Sequence, residues 1–287
     1  MATGHIAGFY HAQFALRNSS GYACGTVADP ETIANDTTMH AHKLIAPVEV
    51  TALSFPREAA LFRGGQQILG RRMLGITDVS SFDITLTAFD ETFHTLISGS
   101  AIDTTIASSN SVTTVNANLA DPPQGILLLT LGYQTTGGTN KYITYGYPNV
   151  QIAESSAGAA SQAGGENPNP SRYTVTVSSS TTTIFGLPFS ATTLGAENNA
   201  DFMMRYVTTY PVALTSYKAA SSDTEFILGY RPIISEHAGA RHVFAKNGAT
   251  AHSDVTGLSV TTGAVTINSA TAADFWQVIY ETSFQSI

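Results

Sequence analysis

DVSSFDITLTAFDETFHTLISG, residues Asp78–Gly99, is the stretch of this chain that decides its fold class. Its first half alternates apolar and polar residues over Phe82–Ala88, the period of two that is typical of a half-buried β-strand. At Asp90 the period changes, because Asp90 can cap the N–H groups of a helix and apolar residues then follow at helical spacing. Gly99 suits the left-handed conformation that commonly ends a helix. The stretch predicts a strand that runs directly into a short helix over residues 90–98.

The predicted helix has one apolar face, formed by Phe93, Leu96 and Ile97. Glu91 lies in the first turn, where the helix dipole favours a negative charge. We expect the apolar face to pack against a sheet, with Asp90 at the start of the helix acting as a structural residue rather than a catalytic one.

Most of the remaining chain shows strand patterns separated by turn residues. The run Ile126–Leu131 is continuously apolar, which is typical of a strand buried on both faces. Further strands are predicted at Val48–Leu53, Lys141–Tyr147, Tyr173–Val177, Thr182–Phe185, Met203–Thr208, Glu225–Tyr230, His242–Ala245, Leu258–Val260, Ala264–Ile267 and Phe275–Glu281. The expected fold is therefore mainly β, with antiparallel sandwich-like or barrel-like sheets and one short flanking α-helix.

The chain divides by composition into three parts. Residues 1–47 carry polar turns and no clear period, and we expect an N-terminal arm. Residues 48–200 form the predicted β core, interrupted at 151–172 by a loop rich in small residues, Gly and Pro. Residues 201–287 hold further strands, which either complete the core or form a small C-terminal module.

Composition narrows the function classes. The 287 residues carry a formal net charge of −8 and only 12% charged residues, which disfavours a protein that grips nucleic acid through clustered Lys and Arg. A weakly charged, Thr-rich and Ser-rich surface has little electrostatic self-repulsion, so it tolerates packing against copies of itself. The only apolar runs are far too short for a membrane helix, and the N-terminus lacks a signal-peptide pattern. We therefore expect no membrane partner and folding in the cytoplasm.

Enzyme signals are weak in this sequence. The nucleophile-elbow, dinucleotide-binding and P-loop motifs are all missing, and a single cysteine, Cys24, excludes paired-cysteine zinc sites. His40 and His42 would share one face of a strand and could begin a metal site, but no third ligand lies nearby in a known motif. His237, His242 and His252 fall in a turn-rich region. We therefore predict no catalytic residues, no metal and no cofactor.

Positive charge concentrates in one place, at Arg57, Arg63, Arg71 and Arg72. Three interpretations are open. The arginines form a solvated face, a docking surface for acidic residues of a neighbouring subunit, or a contact to nucleic acid. The acidic balance of the chain disfavours the third, and the hypothesis kept here is an inter-subunit contact.

The region Val48–Asp103 resembles the core of the major tail tube proteins of long-tailed bacteriophages (siphophages). The resemblance lies in the segment GITDVS (Gly75–Ser80), the strand SFDITLTAFD and the helix DETFHTLISGS. Two later pieces, YITYGYP (Tyr142–Pro148) and RYTVTVSS (Arg172–Ser179), are similar in order and spacing. The match is one of pattern rather than of an invariant motif.

That resemblance implies a structural virion protein. Tail tubes and the related type VI secretion tubes consist of hexameric rings stacked head to tail, with one sheet of each subunit lining a channel. The implied partners are other copies of the chain, the tape measure protein, and the tail terminator and baseplate proteins, while DNA passes through without specific binding. The implied location is the virion tail, assembled in the cytoplasm of the host bacterium.

Two other functions stay open at this point. One is a non-catalytic phage β-sandwich protein for decoration, for a baseplate, or for receptor or glycan binding. The other is a hydrolase on a β scaffold, which would need carboxylates such as Asp90 to meet a partner in space.

Overall fold

The computed structural model of the chain describes residues 4–23, 33–45, 47–51, 57–64, 67–76, 80–88, 90–98, 102–107, 110–113, 122–156, 171–178, 204–235, 242–247, 249–268 and 270–286. The described chain is mainly β with antiparallel sheets and one α-helix, α1 (Glu91–Ser98), which confirms the predicted fold class. In chain order the strands are β1 (Gly4–Leu16), β2 (Thr37–His40), β3 (His42–Lys43), β4 (Pro47–Val50), β5 (Arg57–Gly64), β6 (Gln67–Ile76), β7 (Ser80–Leu86), β8 (Ile102–Ala107), β9 (Asn110–Thr113), β10 (Gln124–Thr135), β11 (Asn140–Ser156), β12 (Ser171–Val177), β13 (Met204–Thr208), β14 (Val212–Lys218), β15 (Glu225–Ile227), β16 (Val243–Lys246), β17 (Ala249–Thr250), β18 (Val255–Leu258), β19 (Ala264–Ile267) and β20 (Phe275–Glu281).

The largest sheet, called here the main sheet, has eight strands in the order β3-β1-β10-β11-β12-β7-β4. The eighth strand, β13, pairs with the first part of the long strand β11, while β12 pairs with its last part. Every pairing in this sheet is antiparallel.

The main sheet is strongly curled. Its two outermost strands, β3 and β4, lie at opposite ends of the strand order but are separated in sequence only by residues 44–46. In a flat sheet six strand spacings would place them about 29 Å apart. The chain from Lys43 to Pro47 can span only about 14 Å. The sheet must therefore bend until its two ends approach each other, although β3 and β4 do not pair and no closed barrel forms among the described strands.

Helix α1 packs on the concave face of this curled sheet. Phe93 is fully buried and its ring meets the edges of Phe14 and Tyr173 at centroid distances of 5.7 and 5.1 Å. Ile97 is also buried, while Leu96 is half-buried against the same core. The remaining members of this cluster come from the inner faces of five strands and from the segment after β3: Ala12, Leu16, Leu44, Phe82, Ile84, Leu86, Leu127, Leu129, Tyr147, Val150, Ile152, Val175 and Val177.

A second sheet, in the order β17-β16-β20-β14-β2, packs on the opposite face of the main sheet. Strand β10 lies between the two cores, because Leu127 and Leu129 face the helix while Ile126 and Leu128 join Leu214 in the second core. The predicted burial of Ile126–Leu131 on both faces is thus confirmed for residues 126–130. Burial on both faces explains why the sequence of this strand is a continuous apolar run.

A third sheet, in the order β15-β19-β18, covers the outer face of the second sheet. Trp276, Val278 and Tyr280 of β20 project into this third core, where the indole lies near Phe226 at a centroid distance of 6.1 Å. All seven residues of β20 are buried, because both faces of the second sheet are covered. The layers therefore run in the order helix, main sheet, second sheet, third sheet.

The N-terminal arm predicted over residues 1–47 is wrong for the described part of that segment. Strand β1 pairs with β10 along its length, and β2 pairs with β14 in the second sheet. The segment forms a strand of the main sheet because both of its faces are buried. Ala12, Phe14 and Leu16 face the helix-side core and alternate with the buried polar residues His11 and Gln13.

Two boundaries in the middle of the chain also differ from prediction. The loop expected at 151–172 begins later, since β11 continues to Ser156 and β12 starts at Ser171, and residues 157–170 lie outside the described residues. Pro148 does not end its strand. It lies where the β10–β11 register shifts between Gly125 and Leu127, a bulge that tolerates a residue without an N–H group.

The last third of the chain contributes strands to all three sheets. Strand β13 extends the main sheet, while the later strands build the second and third sheets together with β2. Two further hairpins stand as separate two-stranded sheets, β5–β6 and β8–β9. The first is the hairpin predicted around Gly64-Gly65, of which residues 65–66 lie outside the described residues.

The helix contact gives a direct stability test. We expect Phe93→Ala to lower the free energy of unfolding by about 3–5 kcal/mol, because it leaves a cavity under a fully buried ring. Leu96→Ala is the matched control on the same helix and should cost clearly less, since Leu96 is only half-buried. Urea unfolding of both variants measures the difference. Equal losses would show that the helix face is assigned wrongly.

Candidate assembly surface

Strand β13 marks one part of the main sheet, because it pairs with the first part of β11 while β12 pairs with the last part. Here four strands lie side by side in the order β1-β10-β11-β13. Their pairing can be followed along one row, in which Phe9 lies opposite Leu131, Leu131 opposite Ile143, and Ile143 opposite Val207. We call this four-stranded part the sheet extension.

Both outer strands of the sheet extension are paired on one side only among the described strands. On the β1 side, β3 covers Gln13 and Phe14, and none of the described strands pairs with the edge of Gly4–His11. On the other side, the one strand that pairs with β13 within the described ranges is β11. An exposed edge presents unpaired N–H and C=O groups, and these are a template for pairing with another chain.

The strand directions make the two edges complementary. Each neighbour in the sheet extension is antiparallel to the next, so β1 runs parallel to β11 and antiparallel to β13. When β13 of one copy is placed beside β1 of another copy in the same orientation, the new pair is again antiparallel. A head-to-tail junction therefore continues the sheet in the same alternating pattern.

One face of the sheet extension carries an apolar row across all four strands. Phe9, Leu131 and Ile143 are half-buried, and Val207 at the β13 edge is 57% exposed. The exposed fraction of the row is therefore largest at the edge strand, as expected for a surface that binds another protein chain.

The opposite face is held against the second sheet by polar residues. Thr130 and Thr144 are fully buried and hydrogen-bond to each other at 2.9 Å across the strands. The side chain of Gln13 donates to the backbone oxygen of Val212 at 2.7 Å, and its amide nitrogen also contacts the His11 ring at 3.0 Å. Burial, and secondarily the nearby charge of Lys43, lowers the pKa of His11 to about 3. His11 is therefore neutral at physiological pH, which suits its place between two sheets.

Strand β1 is bulged twice within its open part. Its register against β10 shifts between Ile6 and Gly8 and again between Phe9 and His11. Tyr10, at the second bulge, is 49% exposed, and its ring contacts the edge of Tyr142 at 5.0 Å. Bulges bend a strand and increase its twist, so they favour a curved rather than a flat sheet extension.

Asp90 holds strand β3 in place, and β3 covers the edge of β1 at Gln13 and Phe14. One carboxylate oxygen accepts the Phe93 N–H at 3.0 Å, which is the predicted helix cap, and the other accepts the Ile45 N–H at 3.0 Å. His42 of β3 contacts both oxygens at 2.9 Å. Burial alone would raise the pKa of Asp90, but the hydrogen bonds from His42, Phe93 and Ile45 outweigh it and lower the pKa below 3.8. The carboxylate thus ties β3 to the start of α1.

The four predicted arginines lie on the β5–β6 hairpin. Arg57 and Arg63 belong to β5, while Arg71 and Arg72 of β6 pair in register with Leu61 and Ala60. Their side chains are outside the described part of the structure, as is Gly99, so the inter-subunit contact stays a prediction.

The predicted His40–His42 pair does not form a shared site. His40 lies on β2 in the second sheet, where its Nδ1 is 3.1 Å from the Thr215 hydroxyl, while His42 lies on β3 in the main sheet. His242 is buried, and its ring accepts the Glu281 N–H and faces the Ile234 carbonyl. Across the described residues, no three His, Cys, Asp or Glu side chains are grouped so that they could hold a metal ion.

Two further features bear on other kinds of site within the described part of the chain. A cavity beside Phe14, Met39 and Leu96 measures about 40 Å³, room for a water molecule but far below a substrate pocket. Trp276, the single tryptophan, is fully buried and so cannot stack on a sugar ring. Among the described helical residues no segment has the length and apolarity needed to cross a bilayer.

Comparison of the chain with protein-family models and with curated protein sequences finds no match.

The Asp90 contacts predict a pH-dependent loss of stability. The folded-state pKa of Asp90 is depressed, so its contribution is present above pH 3.8 and is lost as the pH falls through the folded pKa. At pH 7 we expect Asp90→Asn to cost about 1.5–3 kcal/mol, and we expect the gap from wild type to shrink below pH 3.8.

Urea unfolding between pH 7 and pH 3 measures this gap. Asp83→Asn is a matched control, because Asp83 is only half-buried and accepts a side-chain hydrogen bond from Thr174. A gap that stays constant with pH would show that the Asp90 charge does not hold β3 in place.

Proposed function

We propose that this chain is a structural protein that polymerises through the edges of its sheet extension into stacked rings, forming the hollow tail tube of a bacteriophage. The observation that carries the proposal is the pair of open, complementary edges, β1 and β13, at the two sides of one four-stranded sheet. The resemblance of the Asp78–Gly99 stretch to tail tube proteins supports the same reading.

A ring satisfies both edges at once. Each junction joins two different surfaces, β13 of one copy and β1 of the next, and is therefore heterologous. Such contacts form a closed ring when the rotation between copies closes, and closure pairs both open edges of the sheet extension. An isologous dimer would satisfy only one edge of each copy and would leave the other open.

The dimensions fit a channel. If the ring is hexameric, as the resemblance implies, four strands per copy give about 24 strands, or a barrel roughly 45–50 Å across between backbones. That is wider than a DNA duplex. The net charge of −8 also suits a wall past which DNA moves without being held.

The partners follow from this role. The chain would contact itself within and between rings, the tape measure protein inside the tube, and terminator and baseplate proteins at its ends. Its place is then the virion tail, after assembly in the cytoplasm of the host.

The first test adds a charge to the exposed edge. Val207→Lys places an ammonium on the β13 edge, and we expect it to abolish or strongly reduce rings and tubes seen by negative-stain electron microscopy of concentrated protein. Folding should be little affected, since Val207 is 57% exposed.

Val260→Lys is the matched control, because Val260 is an exposed valine, 40% accessible, in the turn between β18 and β19. It should assemble as wild type does. Wild-type protein that stays monomeric at high concentration and with phage tail components would refute the proposed function.

The arginine hairpin supplies an independent test. Arg71→Glu combined with Arg72→Glu should reduce assembly while the unfolding transition changes little, because interface charge pairs act on association more than on folding. Arg172→Glu, at an exposed arginine of β12, serves as a control. Unchanged tube formation in the double variant would return Arg71 and Arg72 to the solvated-face interpretation.

A further inference from the structure

The register of the proposed junction can be derived from the described strands. Following the paired rows across the sheet extension places Met204 on the level of Gln13, Val207 on the level of Phe9, and Thr208 on the level of Gly8. These levels define what an undisplaced junction between β13 of one copy and β1 of the next would look like.

An undisplaced junction is obstructed. Met204 would have to pair with Gln13, but Gln13 already pairs with Lys43 of β3. The neighbouring Ala12 carbonyl is occupied too, since it accepts the Leu44 N–H at 3.0 Å. Any shift of β13 toward the C-terminus of β1 makes this conflict worse. Strand β3 cannot easily yield, because Asp90 holds both His42 and the Ile45 N–H.

A closed ring of strands also requires a displacement. Barrel strands tilt by about 35–45°, which corresponds to roughly one residue of stagger per strand and so to about four residues per four-stranded copy. The displacement must be even, because an odd shift would turn the apolar row to the opposite face. The only free direction is toward the N-terminus of β1.

Resting on the proposed function, we infer that β13 of one copy pairs with the Gly4–His11 part of β1 in the next copy, displaced by two or four residues. Val207 then lies opposite Ile6 or Gly4 of the neighbour. Both positions are an even number of paired rows from Phe9, because Ile6 is level with Tyr133, Gly4 with Thr135 and Phe9 with Leu131. Strand β3 is thereby the stop that sets the register of assembly.

Disulfide scanning tests this register. Every variant carries Cys24→Ser, which removes the chain's one native cysteine, together with Val207→Cys. The second cysteine is placed at Ile6, Gly4 or Phe9. We expect the Ile6→Cys or the Gly4→Cys variant to give about tenfold more cross-linked product than Phe9→Cys, because Cα atoms more than about 7 Å apart are not bridged. Within one copy β1 and β13 are three strand spacings apart, so every cross-link joins two copies.

The product should be a ladder of multimers on a non-reducing gel, and Val207→Cys with Val260→Cys should give none. Rings seen by microscopy with the strongest cross-link at Phe9, or with none at any of the three positions, would overturn the inferred register while leaving the proposed function standing. Absence of both rings and ladders would instead refute the proposed function.

Discussion

The carboxylate of Asp90 is the interaction on which the shape of the main sheet depends. It is almost fully buried and joins two pieces of chain: the first turn of α1, and the segment that holds His42 of β3 and the Ile45 backbone. Residues 42–50 must bridge the two ends of a seven-strand order over a very short length of chain. A buried charge is stable only when its hydrogen-bonding capacity is filled, and here each partner also fixes a position of the backbone. Curling of the sheet and docking of the helix are therefore one coupled event.

That coupling divides the main sheet into two parts with different roles. In the part that contains β3, the strands bend around Phe93 and Ile97, and protein covers both faces of the sheet. Beyond β3, strands β1, β10 and β11 continue together with β13, and the outer edges of this part have no strand partner among the described residues. The long strands β10 and β11 run through both parts, so the well-packed core below orients the sheet extension rigidly. A rigid, preorganised edge loses little conformational entropy when a second chain pairs with it.

Local signals predicted much of this architecture, and non-local pairing accounts for what they missed. The change of period at Asp90 foretold both α1 and its cap, and the apolar run of β10 foretold burial on two faces. Strand β1 was missed because bulges at two points break its alternation and because its partner β10 lies more than a hundred residues away. Strand β14 was missed because burial on both faces places Thr215 and Ser216 among apolar residues. The second contact of Asp90, with His42, has no local sequence signal at all, since it depends on how the sheet curls.

The open edges also bear on how the proposed polymerisation would be ordered rather than indiscriminate. Long, flat edges aggregate, whereas β13 has only five residues and the open part of β1 is bulged twice. In the proposed assembly a single junction of this kind would be short and weak, and strand β3 would leave few registers in which it could form. Closure of the proposed ring would join each copy at two edges at once, so that the last contact would be intramolecular and strongly favoured by effective concentration. Weak single contacts with a defined register would thus favour closed rings over irregular fibres, which is the behaviour that the proposed tube requires.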